Sequence, residues 1–239
     1  MQATMLWLNG WGMSDAVWQD VLPGFPDCRH VIPDFSRHTA PEQFYETALR
    51  AVRACGSTPL FVIGWSMGGM LAQRLAVEVR IAGLVLVSTT ARFVREKAEA
   101  ELGWGEGHVR HMMRGLQKER DKVMERFFRS MAADGETASF ADTWSVEALL
   151  AGLAYLQRED CRPLLRKIPC PTLILHGSDD VICPRAAAGE LAAAIPQASL
   201  IAMPGAGHAP MATRPSVLTA EIRRVVDEWL EINGAAPVQ

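Results

Sequence analysis

Three kinds of side chain in this sequence are placed so that a hydroxyl could become a nucleophile. Residues Leu60–Gly69 read LFVIGWSMGG, an apolar run that passes into Gly64-Trp65-Ser66-Met67-Gly68 and then into a helical pattern. This is the spacing G-x-S-x-G. A serine there sits on a sharp strand-to-helix turn, where small neighbours relieve crowding and the helix N-terminus favours negative charge. The hydroxyl attacks a carbonyl only when a base takes its proton and a carboxylate orients that base. His208, in the small-residue loop Met203-Pro204-Gly205-Ala206-Gly207-His208-Ala209-Pro210, is the candidate base. Asp179 and Asp180 compete for the carboxylate, since both follow the apolar run Thr172–His176. The chemistry is acyl transfer through an acyl-serine.

Acyl transfer also needs two N–H donors aimed at the developing oxyanion. The backbone N–H of Met67, next after Ser66, is one. The second is expected from the glycine-flanked loop Asn9-Gly10-Trp11-Gly12. His30, His38, His108, His111 and His176 show no ligand spacing, so neither a metal nor a cofactor is expected.

The elements that must carry these loops alternate. Strands are expected at Thr4–Leu8, His30–Ile32, Leu60–Gly64, Gly83–Val87, Thr172–His176 and Ser199–Met203. Helices are expected at Glu42–Ala54, Met67–Val77, Arg185–Ala194 and Pro215–Ile232. Continuously apolar strands separated by helices predict a parallel, doubly wound sheet. The rhythm stops between about residues 90 and 167, which reads as an inserted helical cap without strands. The chain of 239 residues is therefore expected to form one domain, 1–239, with core 1–89 and 168–239.

Bulk properties exclude several classes. A net charge of −3 does not suit a nucleic-acid or anionic-membrane binder. Five scattered cysteines without a CxxC pair argue against disulfides and zinc, and for reduced thiols in the cytoplasm. The N-terminal residues lack a signal-peptide pattern, and no apolar run reaches the roughly 18–20 residues of a membrane span.

The cap carries the strongest local charge. In His108–Met131, Arg110, Arg114, Lys118, Lys122 and Arg126 recur every four residues, and the segment has an excess of four positive charges. A solvated helix face is one reading, and steering of an acidic partner is the other. Val109, Met112, Met113, Leu116, Val123 and Phe127 recur at helical spacing as an apolar face. Phe127 and Phe128 could line an acyl channel, or simply pack in the core.

These motifs together resemble the pimeloyl-[acyl-carrier protein] methyl ester esterase family of biotin synthesis, within the α/β-hydrolase superfamily. The resemblance rests on NGWGMSDAVW, IGWSMGG, MERFFRSM, GLAYLQREDCRPLLRKIPCPTLILHGSDDVICP and GAGHAP. It implies an α/β-hydrolase fold whose usual N-terminal hairpin is missing here. It favours Asp180, which stands in the G-x-x-D-x-x-x-P pattern from Gly177 to Pro184, and leaves Asp179 as runner-up. It makes Trp11, the residue after the first loop glycine, the second oxyanion donor, with core packing as its plain alternative. It implies hydrolysis of the methyl ester of a pimeloyl group on acyl carrier protein. Lys122 and Arg126 match two basic docking positions of the family, whereas Ser139 and Thr143 stand where two more are usual. The same triad would also serve a general esterase, a thioesterase or a carbon–carbon hydrolase. A ligand receptor on the same fold is the non-enzymatic alternative.

Overall fold

A computed structural model describes residues 3–56, 58–133 and 143–234 of the chain. In chain order the elements are β1 (Thr4–Leu8), β2 (Arg29–Val31), α1 (Glu42–Arg53), β3 (Leu60–Trp65), α2 (Met67–Glu78) and β4 (Gly83–Val87). Then follow β5 (Val94–Arg95), β6 (Trp104–Gly105), α3 (Glu106–Met131) and α4 (Val146–Arg158). The chain closes with β7 (Thr172–Gly177), α5 (Arg185–Ala194), β8 (Ala198–Met203), α6 (Pro210–Thr213) and α7 (Pro215–Gly234). Six strands form one sheet in the order β2-β1-β3-β4-β7-β8, with every neighbouring pair parallel. Every residue of β1, β3, β4 and β7 is buried, which is why these strands show no polar alternation. β8 lies at the edge and leaves Ser199, Leu200 and Ala202 exposed. Each expected strand and helix of the core is present, with its ends moved by at most two residues.

Winding places the site. The crossovers through α1, α2 and α5 all step the same way across the sheet, so right-handed connections put these helices on one face. The β1-to-β2 connection steps the other way and lies on the opposite face. There α7 joins it: Arg223 donates to the Gly24 carbonyl, and its guanidinium lies 5.1 Å from the Phe25 ring centroid. The winding therefore reverses at β1. The loops leaving the carboxyl ends of β1 and β3 flank the crevice where open α/β sheets bind ligands.

Helices α3 and α4 are tied to the carboxyl ends of the strands. The Trp11 indole N–H donates to the Leu149 carbonyl of α4 at 2.8 Å, and the Trp144 indole N–H donates to the Met13 carbonyl at 3.0 Å. Ser145 caps α4, its hydroxyl accepting from the Ala148 N–H at 3.1 Å. Two features depart from the expected all-helical segment. β5 and β6 pair Val94 with Trp104 and Arg95 with Gly105. Two residues each are too few to leave a periodic signal; the buried Arg95 anchors them through ion pairs to Glu99 and Glu190. Helix α3 is also broken at Glu119 (φ −144°, ψ 57°), so its two halves fold toward each other. The bend brings Val123 beside Gly115, where a Cβ would stand 2.7 Å from Val123 Cγ2.

Candidate active site

Steric demands explain the residues around Ser66. Ser66 has φ 55° and ψ −119°, a strained backbone for a residue with a Cβ. The turn is held from β4: the Ser66 N–H donates to Val87 O at 3.0 Å, and Thr89 Oγ1 donates to Ser66 O at 2.7 Å. Gly64 and Gly68 are there for close approach. A Cβ at Gly64 would stand 2.5 Å from Gly68 O, and one at Gly68 would stand 2.1 Å from Leu8 O. The elbow is thereby pressed against the end of β1.

Ser66, His208 and Asp180 come together as one hydrogen-bonded chain. His208 Nε2 lies 2.9 Å from Ser66 Oγ, and His208 Nδ1 lies 2.9 Å from Asp180 Oδ2. Asp180 Oδ1 accepts from the backbone N–H groups of Ile182 and Cys183, both at 2.9 Å. With Nδ1–H donating to the carboxylate, Nε2 is free to take the serine proton. Both His208 and Asp180 are buried, so water does not compete for these bonds. The His208 backbone is pinned at each end: its N–H donates to Met131 O and its carbonyl accepts the Trp65 indole N–H, both at 2.8 Å. Asp179 is exposed and accepts from the Ser178 hydroxyl at 2.7 Å. Of the two aspartates, only Asp180 touches the histidine.

Neighbouring His176 is buried behind the acid loop. Its Nε2 bonds the Cys183 carbonyl at 2.7 Å and lies 3.6 Å from Asp180 Oδ2. Burial lowers its basicity, against the raising effect of Asp180. Among the described residues, no cluster of three or more His, Cys, Asp or Glu could hold a metal ion.

Of the two expected oxyanion donors, Met67 directly follows Ser66 in the chain. Met67 opens α2, and Trp11 lies in the loop after β1. Among the described residues, neither backbone N–H donates to a backbone carbonyl. The Trp11 ring is buried and meets Phe127 edge-on with centroids 4.9 Å apart. Phe128 is half-buried, its ring centroid 6.4 Å from that of Phe127.

The basic residues are separated by the break in α3. Arg114 precedes Glu119, whereas Lys122 and Arg126 follow it, so the continuous stripe expected from a straight helix is interrupted. All three are exposed. Lys122 pairs with Glu119, while Arg114 and Arg126 have no ion pair among the described residues. Thr143 lies just before α4, and Ser139 lies outside the described residues. Sequence reasoning missed Asn9, Trp65, Thr89 and Trp144, which hold the backbone around the site. Trp65 had a local signal in its place inside the G-x-S-x-G motif, and Asn9 in its place at the head of the Asn9-Gly10-Trp11-Gly12 loop.

A family model described as Alpha/beta hydrolase family matches residues 5–222, and the chain belongs to that family. Within it, the chain is 30% identical over 229 residues to the pimeloyl-[acyl-carrier protein] methyl ester esterase of Nitrosomonas europaea, covering 88% of this chain and 90% of that relative. The enzyme of the same description from Chromobacterium violaceum is 30% identical over 223 residues, 85% of this chain and 86% of that one. A bromoperoxidase from Bacillus anthracis superposes with TM-score 0.84 at 18% identity, over 95% of this chain and 92% of that chain, a likeness of fold. The protein is a carboxylic ester hydrolase.

Proposed function

We propose that the protein hydrolyses the methyl ester of a pimeloyl group carried on acyl carrier protein, in the synthesis of a biotin precursor. Ser66 Oγ attacks the ester carbonyl carbon while His208 Nε2 takes its proton, and Asp180 supports the imidazolium. The carbonyl oxygen becomes an oxyanion held by the Met67 and Trp11 backbone N–H groups. Collapse breaks the bond to the methoxy group, which leaves as methanol with the proton from His208. Water, deprotonated by His208, then releases the acid and restores Ser66. The observation that carries the chemistry is the pair of 2.9 Å contacts from His208, to Ser66 on one side and to Asp180 on the other. The substrate rests on the relatives, whose printed descriptions name this ester.

Carrier docking is assigned to Arg114, Lys122 and Arg126. Positive charge on α3 attracts an acidic partner, and Phe127, on the inner side of the same helix half, touches Trp11. Phe127 and Phe128 are the proposed wall for the acyl chain. We assign the reaction to the cytoplasm, in keeping with five cysteines that form no disulfide. Among the described residues, no helix is long and apolar enough to cross a membrane.

The test is twofold. Purified protein should release methanol from the carrier-bound methyl ester, with kcat/KM above that for a free short-chain methyl ester. Its gene should restore growth without biotin to a bacterial strain that lacks its own pimeloyl-ester esterase. Turnover of free esters only, with no rescue, would make the protein a general esterase.

A further inference from the structure

The backbone that carries the Trp11 N–H is soft by composition and stiff by its contacts. Gly10, Trp11, Gly12 and Met13 form a turn in which the Met13 N–H donates to Gly10 O at 3.3 Å. Gly12 has φ 75°, the left-handed value that a type II turn requires at its third residue. Glycines on both sides of Trp11 leave the local peptide planes free to rotate. An oxyanion donor must nonetheless be held to within a few tenths of an ångström before the reaction begins.

Two side chains supply what the turn lacks, and both bind the same atom. The Met13 carbonyl accepts from Asn9 Nδ2 at 3.4 Å and from Trp144 Nε1 at 3.0 Å. Each donor is itself fixed. Asn9 is buried, and its Oδ1 accepts the Trp18 indole N–H at 2.7 Å. Trp144 is buried and stacks on Phe44 at 5.5 Å and 19°. Its carbonyl accepts from Arg120 Nη2 at 3.0 Å, just past the break in α3. Trp144 is 131 residues from Met13 in the chain and stands two residues before α4, so this grip does not come from the sheet.

We propose that Trp144 is a positioning residue for the oxyanion: its indole N–H, acting on the Met13 carbonyl together with Asn9, sets the direction of the Trp11 backbone N–H. The proposal rests on the reading of Trp11 as an oxyanion donor. It makes the helices over the site part of the catalytic geometry as well as a cover for it.

Trp144→Phe keeps a ring on Phe44 and removes the N–H, and Trp144→3-benzothienylalanine keeps the bicyclic shape as well. Competent sites are counted by stoichiometric fluorophosphonate titration, so turnover is read per reactive serine. For both variants, kcat per site on a short-chain aryl ester should fall about 10- to 100-fold, the scale of a displaced oxyanion donor. KM should change less than about twofold. Affinity for an aryl trifluoromethyl ketone, whose adduct carries the same oxyanion, should fall by the same factor as kcat. Unchanged kcat per site would overturn the proposal, as would a loss accounted for by fewer titratable sites. Ser66→Ala is measured alongside. If it is inactive while the Trp144 variants match the parent, only the positioning role falls. If it still turns over, the reading of the whole site falls, and this proposal with it.

Discussion

Replacing Asp180 by asparagine changes one atom and should remove most of the activity, and the structure dictates which atom matters. Asp180 Oδ1 is held by two backbone N–H groups, from Ile182 and Cys183. An asparagine must therefore leave its carbonyl oxygen there, since its amide would meet two donors. Its NH2 group then occupies the place of Oδ2, facing His208 Nδ1 at the shorter contact of 2.9 Å; the remaining oxygen, 3.1 Å from Nδ1, is already taken by its two backbone donors. Two donors cannot share that contact, so His208 shifts its proton to Nε2 and presents an N–H to Ser66. The base is now the wrong tautomer and cannot accept the hydroxyl proton. A loss of about 10⁴-fold in kcat is expected, or about 5.5 kcal/mol of activation free energy. Asp179→Asn keeps an acceptor for Ser178 on the exposed side of the loop and should change kcat less than about twofold. The assay is kcat on a short-chain aryl ester, with near-ultraviolet circular dichroism to confirm packing. The tautomer argument is refuted if Asp180→Asn retains more than about a tenth of the activity, or if Asp179→Asn is the more damaging.

Further outcomes follow from the same geometry. Ser66→Ala should lose fluorophosphonate labelling and drop kcat by on the order of 10⁴–10⁶-fold while remaining folded; persistent labelling would place the nucleophile elsewhere. Replacing Arg114, Lys122 and Arg126 by glutamate should cripple kcat/KM for the carrier-bound ester and spare a free ester. The carrier reaction of the parent protein should slow with salt as the Debye length shrinks from about 10 Å at 0.1 M to about 3 Å at 1 M. Equal loss on both substrates would make these residues structural. Burial holds His176 and His38 below the ordinary histidine range. Below about pH 6.5 the unfolded chain then binds protons that the folded one refuses, so stability falls as pH drops toward the folded pKa values. Each histidine contributes a slope of at most about 1.4 kcal/mol per pH unit. Urea unfolding at pH 7, 6 and 5 reads this slope. His176→Phe should reduce it, and a stability unchanged across that range would contradict the burial argument.

Local requirements were legible in the sequence because they select local residue types. The elbow needs glycine where a Cβ would strike backbone, and Gly64 and Gly68 stand there. Strands covered on both faces need continuous apolar runs, and these marked β1, β3, β4 and β7. Chain order then put Ser66, the acid loop and His208 at successive strand ends. The residues between β4 and β7 were less legible. The two-residue strands β5 and β6 are shorter than any period, and nothing in the residue types at Glu119 announces a break in α3. Asp179 and Asp180 differ by one position, and only the path of the loop turns one toward His208 and the other toward solvent. The grip of Asn9 and Trp144 on Met13 lies still further from what sequence spacing can show. It joins the end of β1 to a segment more than a hundred residues away, and that contact exists only because the sheet and the helices above it pack together. A motif records what its own backbone demands, whereas the partners of a distant carbonyl are set by packing.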